Sequence, residues 1–323
     1  MFNVFIATLV VLVSILFIQI QARKPQMLKH RGSSLELIGM NSMLGFADWI
    51  KQNAPCDLSE RALNLGNRSV AYPRFDNVLI IAGGAGSGKD FVLKNMINFT
   101  GKEFNVDDIK RYAIHMSSQQ VIDQFYKKYG FHLNHLDLFD PEETAALHDF
   151  VSEKGWDTKI QRAFFLAAAQ RSHKDNVIFN VTLKNATKIK TIGNLCDIGG
   201  YKKTNRHVVW VLTNFNEATK NNQTRARRVP TSIMQQSHRG VSKTLRELVE
   251  SNDRSVIDGD VYIIFNMKGA DSDVTITSKG VPVINRYTCY QIKKAGHPFE
   301  SIEKIQKEIG DKLNSYVPDS VRW

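Results

Sequence analysis

Short runs of consecutive apolar residues recur along the chain at Val78–Ala82 (VLIIA), Val177–Val181 (VIFNV), His207–Leu212 (HVVWVL) and Val261–Phe265 (VYIIF). Each is rich in β-branched residues and too short for a typical helix. A strand with one solvated face would alternate polar and apolar residues, and these do not. They read as strands buried on both faces, the pattern of a parallel sheet covered by helices. Helical patterns lie between them, the strongest at Thr158–His173 (TKIQRAFFLAAAQRSH), where Ala, Leu and Phe supply both propensity and an apolar face. A shorter strand is expected around Glu103–Val106. The predicted fold class is therefore α/β, a central parallel sheet flanked by helices, with its core over residues 77–270. Beyond it, in 271–323, Val274–Ile276 and Val281–Ile284 flank Ser278-Lys279-Gly280 as a hairpin, and Ile302–Tyr316 reads as a terminal helix.

The first residues follow another rule. Val4–Ile20 (VFIATLVVLVSILFIQI) carries no charge, and with its flanks is about 20 positions, enough to cross a hydrocarbon core. Arg23, Lys24, Lys29 and Arg31 come directly after it. The expectation is a transmembrane anchor over 1–22, single-pass, with the rest of the chain in the cytoplasm. A cleavable signal peptide is the competing reading, but Met1-Phe2-Asn3 has no basic side chain and Ile20-Gln21-Ala22 is a poor cleavage site. Residues 23–76 read as a linker and helical region. Asn41–Lys51 is a candidate amphipathic helix there, and Ala54–Tyr72 a stretch of short turns.

Composition is otherwise ordinary, with 42% hydrophobic and 23% charged residues. The formal net charge of +11 suits an anionic partner, whether nucleotide, nucleic acid or acidic lipid, without choosing among them. Cys56, Cys196 and Cys289 are widely spaced and support neither a zinc site nor a disulfide framework.

The chemistry is concentrated after the first strand. Gly83-Gly84-Ala85-Gly86-Ser87-Gly88-Lys89-Asp90 fits GxxxxGK, a P-loop, and is followed by a helical pattern. Glycines let such a loop wrap phosphates with its backbone N–H groups, and Lys89 adds a point charge for the β- and γ-phosphates. The implied ligand is ATP with Mg²⁺. The usual last residue is Ser or Thr, whose hydroxyl binds the metal. Here it is Asp90, a candidate Mg²⁺ ligand that puts a carboxylate beside the phosphates.

Three further elements sit where polar residues end predicted strands or helices. Asp107 and Asp108, in Asn105–Arg111 (NVDDIKR), offer a carboxylate to accept the proton of an attacking hydroxyl. Asp107 is the candidate base and Asp108 the helix cap, although sequence does not separate them. Asn180-Val181-Thr182-Leu183-Lys184-Asn185 ends another strand, with Asn180 where a Walker B strand usually has an acid. Arg225-Ala226-Arg227-Arg228-Val229-Pro230 follows the helix-like Asn216–Thr224 and offers arginines, Arg225 or Arg228, to clamp a transferring phosphoryl group on a mobile segment. Lys293-Lys294 with Lys304, Lys307 and Lys312 reads as a solvated helix face.

In order along the chain, GGAGSGKD, NVDDIK, VIFNVTLKN, GGYKK with HVVWVL, and RARRVP resemble the zeta toxin family of P-loop kinases over about Val78–Phe265. The GKD variant also resembles phage deoxynucleotide kinases and phosphomevalonate kinase. The zeta toxin resemblance implies a kinase in which Lys89 anchors phosphate, Asp107 is the base and Arg225 or Arg228 is the lid residue. It also implies a hydroxyl acceptor such as a nucleotide sugar. Asp90 and Asn180 depart from the family pattern. The residues alone leave a nucleotide or a nucleic-acid end as acceptor. They also leave a membrane-anchored nucleotide-binding module without phosphotransfer. Nothing in the sequence points to a protein partner.

Overall fold

The computed structural model describes residues 63–65, 68–70, 75–97, 101–105 and 117–323, except 226, 227 and 281. Among these residues no helix is long and apolar enough to cross a membrane, and the candidate anchor Val4–Ile20 lies outside them, as does Asn41–Lys51. Within the stretch expected to be turns, β1 (Leu63–Leu65) and β2 (Arg68–Val70) pair antiparallel, Leu63 opposite Val70.

The four apolar runs are all strands of one sheet. They are β3 (Val78–Ala82), β5 (Val177–Val181), β6 (Arg206–Leu212) and β7 (Val261–Phe265), every residue buried. The short strand expected near Glu103 is β4 (Lys102–Asn105). Their order across the sheet is β10-β7-β6-β3-β5-β4, with β3 to β7 parallel. The strand carrying the P-loop is thus central, between β5 and β6. Ile81 lies opposite both Asn180 and Val209 in register, so the ends of three strands reach the same edge. β10 (Thr288–Lys293), which the hydropathy pattern did not announce, adds antiparallel to β7.

The two faces of the sheet are covered unequally. One face, with Ile80, Phe179, Trp210 and Ile263, packs against α2 (Gln119–Tyr129), α3 (Pro141–Glu153), α4 (Trp156–Ala169), α5 (Ala186–Ile198), α7 (Thr231–Ser251) and α8 (Ile302–Tyr316). The other face, with Leu79, Ile81, Val209 and Ile264, is covered by α1 (Lys89–Asn95) and by Ile284 of the hairpin β8 (Asp273–Ile276) and β9 (Pro282–Arg286). Alternate residues of one strand serve separate cores, which is why these strands show no regular alternation of polar and apolar positions. The Thr158–His173 helix begins two residues early and ends at Ala169. Gln170–His173 adds no further apolar residue for the core.

The C-terminal segment belongs to the main core. Ile305 and Leu313 of α8 are fully buried, and Trp323 stacks on Trp210 with ring centroids 5.7 Å apart. The expected solvated basic face is corrected at two positions. Lys293 lies on β10 rather than on a helix and is buried, its ammonium 2.9 Å from the Asp258 carboxylate. Lys312 pairs with the buried Asp271. Both lysines are thus engaged by carboxylates of the fold instead of lying free on a solvated helix face. Hydrogen bonds from Arg254 first, and then Lys293, hold the Asp258 carboxyl down to about 2.

Candidate functional site

β3 delivers the chain at Ala82 into the loop 83–88, and α1 starts at Lys89, its first intrahelical bond running from the Val92 N–H to the Gly88 carbonyl (2.9 Å). Gly86 and Gly88 take left-handed backbone angles, φ +77° and +82°, that cost other L-residues energy. Space makes the same demand. A Cβ on Gly84 would stand 2.3 Å from the His238 ring, one on Gly86 2.4 Å from the Ala218 carbonyl oxygen, and one on Gly88 2.2 Å from Asn266 Nδ2.

Neighbouring elements hold the loop through its carbonyls. Thr213, just past β6, places its hydroxyl 2.7 Å from the Ser87 carbonyl and 2.7 Å from that of Asn266. Asn266, just past β7, donates to the Ser87 carbonyl (2.8 Å). Asn221 of α6 (Phe215–Gln223) donates to the Gly86 carbonyl at 3.0 Å. On α7, Ser237 Oγ accepts from the Ala85 N–H (2.9 Å), and His238 Nε2 lies 2.9 Å from the Ala85 carbonyl. Burial holds the His238 imidazole below its ordinary pKa, so the neutral ring donates from Nε2 to that carbonyl. Lys89 Nζ donates to the carbonyls of Gly83 (3.0 Å) and Gly84 (3.2 Å).

The glycine cradle and its lysine fit a bound polyphosphate. Lys89 can keep the loop's shape while turning its charge to the ligand, because an ammonium has three donors.

Asp90 is exposed, in the first turn of α1. Its Oδ1 accepts from Asn180 Nδ2 at 2.7 Å, and the same amide nitrogen reaches Glu103 Oε1 at 3.0 Å. One amide therefore sits between two carboxylates, at the end of β5 where a Walker B acid usually stands. Among the described residues no group of three or more His, Cys, Asp or Glu is arranged to hold a metal ion. What is present suits Mg²⁺ shared with phosphate, since that ion keeps several waters and needs one or two carboxylates from protein. Asp90 would supply one, its Oδ1 held by Asn180.

A cavity of about 1020 Å³ opens over the loop. Gly86, Gly88, Lys89, Asp90 and Asn180 line it together with Arg225, and it extends past Lys184 and Lys188 to His148 on α3. Its wall includes Leu183, which is buried with φ +52°, a sparsely populated conformation for a non-glycine residue just past β5. Of the residues expected at the site, the P-loop, Asn180 and Arg225 come together. Arg228 does not line the cavity; its backbone N–H bonds the Leu138 carbonyl at 3.1 Å. Asp107, Asp108 and Arg227 lie outside the described residues.

Sequence reasoning passed over Thr213, Asn221, Ser237, His238, Asn266 and Glu103. Thr213 was legible as the first polar residue after its strand, as was Asn266, by the rule that parallel sheets present function at their C-terminal ends. Ser237 and His238 carry no such signal, because only the packing of α7 brings them under the loop.

The sheet order puts the glycine loop and Lys89 directly after the central strand β3, the arrangement of a P-loop α/β fold. Solved structures similar to this chain include the AvrRxo1-ORF1:-ORF2 complex with ATP, at 10% identity over 87% of this chain and 77% of that one, with a TM-score of 0.40. They also include a structure from the PezAT chromosomal toxin–antitoxin system of Streptococcus pneumoniae, at 12% identity over 69% of this chain and 76% of that one, TM-score 0.38. TT1252 from Thermus thermophilus aligns at 14% identity over 60% of this chain and 90% of its own, TM-score 0.31. No protein-family model and no curated protein sequence matches the chain.

Proposed function

We propose that the chain is an ATP-dependent kinase that transfers the γ-phosphate to a hydroxyl of a nucleotide sugar, nucleotide or nucleic-acid end. The observation that carries this is one cavity lined both by Ala85, Gly86, Gly88, Lys89 and Asp90 of the phosphate loop and by Arg225. Its volume, about 1020 Å³, is at the top of the usual range for a single ligand and leaves space for an acceptor beside ATP. In this reading the loop's N–H groups and Lys89 bind the β- and γ-phosphates, and Arg225 meets the charge on the transferring group. Asp107, two positions past the end of β4, takes the acceptor's proton as the new oxygen–phosphorus bond forms and ADP leaves. Asp90 would hold Mg²⁺, which neutralises phosphate charge when bound.

Asn180 supports a second reading, a nucleotide-binding module without transfer, because no acid stands at the end of β5. Incubation with γ-labelled ATP and a panel of hydroxyl acceptors separates the two. Label is expected on an acceptor, and ATP binding with no transfer to any of them would favour the module. We also read Val4–Ile20 as a single-pass membrane tether that leaves the kinase in the cytoplasm. Release of the full-length chain by salt or carbonate would remove that part of the proposal.

A further inference from the structure

The segment carrying Arg225 leaves α6 and is drawn back to it by one side chain. Asn222, in the last turn of α6 and buried, donates from Nδ2 to the Val229 carbonyl (2.8 Å). Its Oδ1 accepts from the Val229 N–H (2.9 Å). An amide opposed to a peptide in this way satisfies both of its polar ends in a buried place. Residue 229 is thereby held against residue 222, and Arg225 lies on the chain between them. Two backbone bonds steady the same stretch, from the Arg225 N–H to the Asn222 carbonyl (3.4 Å) and from the Arg228 N–H to the Leu138 carbonyl (3.1 Å).

The helix end that holds the arginine segment also holds the phosphate loop. Asn221, next to Asn222, bonds the Gly86 carbonyl, and Ala218 one turn earlier packs against Gly86 so closely that no Cβ fits. Beyond Pro230 the chain enters α7, whose Ser237 and His238 bond both backbone groups of Ala85. Arg225 is therefore tied on both sides to elements that touch the loop. The mobile arginine segment expected from sequence would have to be ordered in every turnover. A tethered one has met much of that entropy cost before the nucleotide arrives.

We propose that Asn222 is a positioning residue for Arg225, setting its guanidinium at a fixed distance from the phosphate loop so that it meets the γ-phosphate of ATP. The proposal rests on the kinase reading for the role of Arg225. Its test is a binding measurement that still decides if no phosphate acceptor is found. ATP and ADP affinities would be measured by calorimetry for the wild type, Asn222→Ala, Arg225→Ala and the double variant. The wild type is expected to prefer ATP to ADP. Arg225→Ala should reduce that preference about tenfold, the scale of a charge-assisted bond. Asn222→Ala should remove most of the same preference, and the double variant should be no worse than Arg225→Ala, the non-additivity of two residues acting as one unit. Where turnover is measurable, kcat should fall in the same pattern with little change in KM for ATP.

Additive losses, or an ATP-to-ADP ratio within about twofold of wild type in Asn222→Ala, overturn the proposal. So does a wild type without preference for ATP. If Asn222→Ala does not fold, Asn222→Asp takes its place. It keeps an acceptor for the Val229 N–H and is expected to give an intermediate, still non-additive loss; additivity there overturns the proposal equally. A wild type that prefers ATP but transfers no phosphate removes the kinase reading, and the binding cycle still decides on Asn222.

Discussion

Lys89→Ala is expected to abolish phosphate transfer and to weaken ATP binding by about 10–100-fold, the range for losing a charge-assisted partner. Two losses combine in this variant. The phosphates lose a point charge beside their cradle. The loop loses the ammonium that now joins the Gly83 and Gly84 carbonyls at 3.0 and 3.2 Å, so its shape is less well prepared. Lys89→Arg is expected to rescue little, because a planar fork cannot occupy the place of a compact ammonium between those two carbonyls. Calorimetric ATP titration and the labelled-ATP assay, with thermal melting as a check on folding, measure all three effects. Wild-type transfer by a folded Lys89→Ala variant would show that the loop is not the phosphate site.

The second large effect is expected where Asp90 meets Asn180. In the commoner arrangement a hydroxyl follows the P-loop lysine and the acid stands on the neighbouring strand. Here the acid follows the lysine and an amide stands on the strand, so one carboxylate serves the pair either way. Asn180→Asp alone would set a second carboxylate about hydrogen-bond distance from Asp90, with Glu103 as close on the other side. Like charges there repel, and the donor that satisfied both acids is gone. We expect ATP binding without Mg²⁺ to fall about tenfold or more and thermal stability to drop. Adding Asp90→Ser removes the Asp90 share of that repulsion and should recover part of both losses, the contact with Glu103 remaining. Asp90→Ser by itself leaves no acid in the pair, and should raise the Mg²⁺ needed for half-maximal rate by about 10–100-fold. Affinities at zero and saturating Mg²⁺ for the four proteins test this. If Asn180→Asp and the double variant behave alike, the two positions do not share a charge and the transposition is wrong.

Local chemistry was enough to read the sheet and the loop. VLIIA, VIFNV, HVVWVL and VYIIF are strands because short, mainly apolar runs rich in β-branched residues and without polar alternation fit the middle of a sheet with both faces covered. The P-loop was equally legible, since Gly86 and Gly88 need backbone angles and clearances that other residues lack, and that need is written at each position. The hairpin and the last helix followed from turn residues and periodicity. Lys293 shows where such reading stops: it stands beside Lys294 in a lysine pair, yet β10 carries it inside against Asp258, 35 positions away.

What the tertiary structure alone decided is which polar residues meet. Asn180 and Asp90 are 90 positions apart, and His238 lies 153 positions from the Ala85 carbonyl it bonds. No local propensity encodes such pairs, because they arise only when the sheet order brings the ends of β3 and β5 side by side and α7 packs beneath the loop. Arg225 and Arg228 looked equivalent in one basic run. Tethering by Asn222 and Leu138 leaves Arg225 in the cavity wall and Arg228 outside it. The sequence by itself determined that the chain builds a buried parallel sheet with a phosphate loop at its edge, since hydrophobic period and glycine backbone freedom are properties of neighbouring residues. The partners of that loop, and the arginine that shares its cavity, depended on contacts between distant segments and so on the fold as a whole.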